Sequence, residues 1–220
     1  MLKHILSRHI EFIYPQSDSS SLVEKICESF DISPTTEAKT DQEFWDENDS
    51  FLITYGDTIL SDEKHPLQNI HEFLGEYLEK AITGVHILPY FPFTSDDGFA
   101  VSDYRTVRHD LGDWEDIQGI AEDYRLMSDV VINHASANHE WFKQFLSNEN
   151  PGQHYIKTSD PTEDLSLVTR PRPSPLLIPF KTTSGEKHVW CTFGPDQVDL
   201  DFSNPDLLCE FISLMRFYIN

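Results

Sequence analysis

Three short stretches hold residues whose types and spacing fit chemistry. SDVVINH sets Asp129, Asn133 and His134 at the end of an apolar run. Polar groups there would line the C-terminal mouth of a strand; the same residues also fit a buried strand capped by a loop-starting Asn-His. PFTSDDGF, from Pro92 to Phe99, joins two carboxylates, a turn glycine and an aromatic ring. Asp96 would accept hydrogen bonds from sugar hydroxyls, and Phe99 would stack on the apolar face of a pyranose. Taken alone, the stretch also reads as an acidic surface turn. RPRPSP carries Arg170 and Arg172 on a stiff Pro-rich backbone. Guanidinium groups suit bidentate phosphate or carboxylate binding, although a solvated loop would look the same. The ten histidines form no HExxH and no other ligand pair at helical spacing, and no GxSxG or P-loop occurs.

Elements that would position these residues follow from periodicity. FLITYGDTI reads as a first strand. HPLQNIHEFLGEYLEKA follows it as a helix, with Leu67, Ile70, Phe73, Leu74, Tyr77 and Leu78 on one face and Pro66 at the first helical position. GVHILPY (84–90) is a second strand. DWEDIQGIAEDY is a second helix with Asp113 as N-cap. RLMSDVVINH (125–134) is a third strand, nearly continuous in apolar residues, as expected where both faces are covered. Alternating strands and helices imply parallel βαβ units. PFTSDDGF and SDVVINH then fall at C-terminal strand ends, where such folds keep their sites. Residues 150–196 are dense in proline and read as a small insert, neither regular helix nor central strand. NPDLLCEFISLMRFYIN closes as a helix. Residues 1–49 read as an accessory helical extension, broken by SDSSS and DISPTTEAKTD.

Composition narrows the partners. The 220 residues carry a formal net charge of −22. That argues against a nucleic-acid-coating protein and against adhesion to an anionic membrane. The 27 aromatic residues exclude a disordered acidic tail. Three widely spaced cysteines without a CxxC make a disulfide scaffold or zinc knuckle improbable. MLKHILSRHIEF has a helical apolar face and not a signal-peptide core, and no apolar run reaches 18 residues. The expected location is cytoplasmic.

Placed in order, these pieces resemble glycoside hydrolase family 13, the α-amylase superfamily. GVHILPYFPF is similar to that family's second barrel strand and DVVINH to its first conserved region. The Pro-rich insert resembles its domain B, and QVDLDFSNP (197–205) the stretch that leaves domain B. SDDGF followed by DY, LGDWEDI, RPRP and VWCTF resemble the sucrose phosphorylase group, with SDDGFAVSDYRTV nearest in pattern to glucosylglycerate phosphorylases. The resemblance covers residues 51–220.

It implies an α/β fold: the first three strands of a TIM (β/α)8 barrel with an inserted domain B and the N-terminal helical extension. The expected domains are 1–49, a partial barrel of 51–149 with 197–220, and the insert 150–196. The implied reaction is a retaining double displacement, in which a glucosyl unit passes from an α-glucoside through a covalent intermediate to phosphate, giving α-glucose 1-phosphate. Asp96 and His134 would hold glucosyl hydroxyls, and Phe99 would form the hydrophobic platform beside them. Arg172 would help receive phosphate or the acceptor's charge. Phosphate must outcompete water, so a cationic pocket is required, and Arg170 with Arg172 are its candidates. No metal is assigned to Asn133 and no cofactor is implied. The expected partners are a small α-glucoside and inorganic phosphate.

The sequence departs from the family pattern after Asn220. The nucleophile motif GxRxD, the acid/base Glu and a later His-Asp pair are missing, and Asp199 and Asp201 match the domain B exit instead. A whole barrel takes roughly 250 residues. The expectation is therefore an N-terminal fragment, inactive alone, whose open parallel edge calls for another copy or for further chain. Two other readings stand beside it: part of a family 13 glucosidase, amylase or transglucosidase, and a non-catalytic half-barrel binding module.

Overall fold

The structure, a computed structural model, describes residues 2–30, 45–79, 81–170 and 172–219. In chain order its elements are α1 (Leu2–Ile13), α2 (Ser19–Ser29), β1 (Phe51–Thr54), α3 (Pro66–Phe73), β2 (Gly84–Ile87), α4 (Trp114–Asp123), β3 (Arg125–Ser128), β4 (His134–Ser136), α5 (Glu140–Ser147), β5 (Leu177–Thr182), β6 (Gly185–Trp190), β7 (Gln197–Asp199) and α6 (Pro205–Ile219). They form two compact units: residues 1–44 with 201–220, and residues 45–200.

The larger unit is built on a parallel sheet in the order β1-β2-β3. Val85 and Ile87 of β2 are buried, as are Leu67 and Ile70 of α3 and Ile117 and Ile120 of α4. Pro66 opens α3, where its missing N–H costs nothing. The helix expected over 65–81 is α-helical only to Phe73 and continues as a single π-turn over Leu74–Leu78. Asp113 caps α4 in a reciprocal capping box with Asp116.

The third strand departs from expectation. It stops at Ser128, and residues 134–136 form β4, antiparallel to β7. The parallel ladder ends where β2 runs into Pro89, which has no N–H to donate. Nor are both faces covered: Ile53 on β1 is 63% exposed and Met127 on β3 is 45% exposed, both in register with His86. The Pro-rich stretch also holds more order than expected, a hairpin of β5 and β6. Pro179 is accommodated because β5 is an edge strand.

The smaller unit packs α2 against α6. Leu22, Val23, Ile26 and Cys27 form its core with Ile10 and Tyr14, and Leu208, Cys209 and Ile212 pack onto it. Tyr14 donates to the Phe202 carbonyl at 2.8 Å, and Lys25 pairs with Asp206 at 2.9 Å. Residues 201–220 group with the N-terminal helices in this unit. Complementary apolar stripes on α2 and α6 give the reason. DISPTTEAKTD lies outside the described residues.

Candidate functional site

Asp96 sits in a left-handed turn. Asp96, Asp97 and Gly98 have φ of 57°, 49° and 107°. Asp tolerates this region better than most residues. Gly98 is required twice over, because a Cβ there would lie 2.8 Å from the Pro89 carbonyl oxygen. Backbone bonds from Thr94 to Ala100 and from Ala100 to Ser95 close the loop, and Ser95 Oγ donates to Asp196.

His134 is 5% exposed at the start of β4. Its Nε2 lies 3.0 Å from the Phe99 carbonyl oxygen, and its Nδ1 lies 3.4 Å from Asn133 Nδ2. Burial holds the His134 pKa below the ordinary histidine value, against the pull of the Phe99 carbonyl and nearby carboxylates. The Phe193 ring packs 5.0 Å from the imidazole, centroid to centroid.

Gln197 on β7 joins the two. Its Nε2 donates to Asp96 Oδ2 at 3.0 Å and lies 3.1 Å from His134 Nε2. Arg172 approaches the other Asp96 oxygen, Nη2 to Oδ1 at 3.9 Å, with both side chains partly in solvent. Asp96, His134, Gln197 and Arg172 therefore form one cluster, and Phe99 enters it through its carbonyl. This arrangement offers acceptors and a donor for hydroxyls, and a cation that an anion could draw away from Asp96.

Arg170 is placed differently. Its Nη1 donates to the Thr192 carbonyl at 3.2 Å and to Ser174 Oγ at 3.4 Å. Below it, Asp199 is 7% exposed. Asp199 accepts from Thr192 N at 3.1 Å, from Thr192 Oγ1, and from Asn133 Nδ2 at 3.4 Å. Burial raises the Asp199 pKa above the ordinary range, and the Thr192 bonds offset only part of that. Reading the residue types in isolation misses Gln197, Thr192 and the anchoring role of Asp199. The available signal is the alternation in QVDL, which puts Gln197 and Asp199 on one face of a strand.

The chain is 45% identical over 220 residues to the glucosylglycerate phosphorylase of Allomeiothermus silvanus, covering 99% of this chain and 39% of that protein. It is 36% identical over the same length to the glucosylglycerate phosphorylase of Escherichia coli, covering 99% and 39%. Sucrose phosphorylase of Streptococcus mutans is 34% identical over 177 residues, 75% of this chain and 36% of its own. The chain thus spans about 39% of the length of the first of these relatives. Among solved structures, sucrose 6F-phosphate phosphorylase from Thermoanaerobacter thermosaccharolyticum superposes with a TM-score of 0.70 at 27% identity, covering 78% of this chain and 37% of that one. These neighbours fix the parallel sheet of the larger unit as part of a TIM barrel. A family model described as the alpha amylase catalytic domain matches residues 13–220, so the chain belongs to the α-amylase catalytic-domain family.

Proposed function

We propose that this chain is the N-terminal part of a retaining α-glucoside phosphorylase that passes a glucosyl unit to phosphate, giving α-glucose 1-phosphate. Glucosylglycerate or sucrose is the donor. The observation that carries the reading is the Asp96–Gln197–His134 cluster with Arg172 beside it. Asp96 and His134 hold glucosyl hydroxyls, and Phe99 is the platform next to them. Arg172, 3.9 Å from Asp96 and half in solvent, turns to the phosphate as it enters. A local cation is needed because the chain's charge of −22 repels phosphate. Residues 51–149 supply barrel and 150–196 supply the insert that brings the arginines over it. The nucleophile and acid/base lie on strands that these 220 residues do not supply. The enzyme works in the cytoplasm, with the open sheet covered by further chain or another copy.

Titration calorimetry of the chain with α-glucose 1-phosphate tests the site. Asp96→Asn and Arg172→Ala each weaken binding by about tenfold or more, roughly 1.4 kcal/mol. Unchanged affinity in both variants removes Asp96 and Arg172 from the binding of sugar and phosphate.

A further inference from the structure

Among the described residues, Asp199 is the only buried carboxylate, and the reaction has no direct use for it. It touches neither sugar-facing Asp96 nor Arg172. Instead it stands between two halves of the cluster. On one side it takes Asn133 Nδ2, whose other contact is His134 Nδ1; His134 and Asp199 are also register partners across β4 and β7. On the other side it takes the backbone N–H and hydroxyl of Thr192. The Thr192 carbonyl in turn receives Arg170, which also holds Ser174. Ser174 and Arg170 bracket Arg172 in sequence.

The geometry points to Asp199 as a positioning residue that fixes the sugar-facing His134 and, through Thr192 and Arg170, the placement of Arg172. The two arginines then have separate tasks. Arg172 meets the anion, whereas Arg170 directs its donors into the protein and supplies the counter-charge a buried carboxylate needs. This assignment rests on the phosphorylase reading, and it refines the expectation that both arginines serve phosphate. Burial makes the anchor stiff: Asp199 is satisfied by two bonds from one residue, so a shift of either side is resisted by the other.

Binding of two probes to the purified chain separates the possibilities, inorganic phosphate by phosphorus NMR and glucose by saturation-transfer NMR. Thr192→Val removes the hydroxyl donor. It is expected to weaken phosphate five- to tenfold and leave glucose unchanged, while Thr192→Ser restores phosphate binding. Asp199→Asn is expected to weaken both probes. A merely structural part would weaken both probes in every variant or neither. If Arg172→Ala abolishes phosphate binding while Thr192→Val keeps wild-type affinity, the positioning role is overturned and the phosphorylase reading stands. If the parent chain binds no phosphate, or Arg172→Ala leaves its affinity intact, the phosphorylase reading and the positioning role both fall. Should Asp199→Asn fail to fold, the Thr192→Val and Thr192→Ser pair decides alone.

Discussion

His134 and His139 are both buried neutral, and each has its pKa pushed down by burial, His139 to about 4. His139 caps α5, its Nδ1 accepting from Trp141 N at 3.1 Å. The folded chain holds fewer protons on these rings than the unfolded chain, so their contribution is complete above pH 6.5 and is lost as pH falls toward 4. Asp199 acts in the opposite sense. Its raised pKa contributes at acid pH, and that contribution fades as pH rises above the ordinary value of 3.8. His139, taken down to about 4, titrates across this whole window. Scanning calorimetry should show Tm falling between pH 7 and pH 4.5, with a shallower fall in His139→Asn, which keeps a capping acceptor without the titration. A Tm flat over this range, or rising toward acid, contradicts the protonation states assigned. In the sequence, DDGF announces a turn and the strand-ending Asn-His a mouth, and the structure has the turn at Asp96 and brings Asp96 and His134 together through Gln197. The sequence did not show Gln197, whose partners His134 and Asp96 lie 63 and 101 residues away in the chain. Nor did it show Thr192, whose part depends on Asp199 reaching Asn133 across the insert. Such contacts leave no local pattern.

Helices were more legible than strands. Pro66 at the start of α3 and Asp113 before α4 are signals with a local mechanism, and both elements begin where those residues put them. Replacing Asp113 by Ala removes the acceptor for Glu115 N and Asp116 N and should cost about 1 kcal/mol. Chemical denaturation measures this, and a change below about 0.3 kcal/mol would mean the box adds nothing. The stretch from Arg125 to His134 reads as one strand because apolar periodicity cannot see a change of partner. The switch after Ser128 depends on Pro89, just past the end of β2, and on β7 arriving from beyond the insert. That switch, anchored by Tyr104 Oη donating toward the carbonyls of Val131 and His134 at 2.8 and 3.0 Å, is what turns His134 into the cluster.

Across the whole molecule, the burial pattern carries the mark of an unfinished sheet. Ile53 and Met127 flank His86 in one row, and Val130 and Ile132 are exposed further along. A complete barrel fills its interior with such residues. Ile53→Lys with Met127→Lys should therefore reduce dye binding and aggregation of this chain, at a stability change within about 0.5 kcal/mol, as for surface positions. Increased aggregation would show that this face is already covered. The grouping of α6 with α2 was hidden in the sequence, since an apolar stripe names a buried face but not its partner.

Phosphorolysis decides whether these residues serve a phosphorylase. Glucosylglycerate and phosphate are given to the chain alone, and to the chain continued after Asn220 by the corresponding remainder of the Allomeiothermus silvanus relative, with release of α-glucose 1-phosphate followed in time. The chain alone is expected to give no product, the continued chain phosphate-dependent product, and its Arg172→Ala form a sharply raised KM for phosphate. Turnover by the chain alone, or unchanged phosphate dependence after Arg172→Ala, would contradict that expectation.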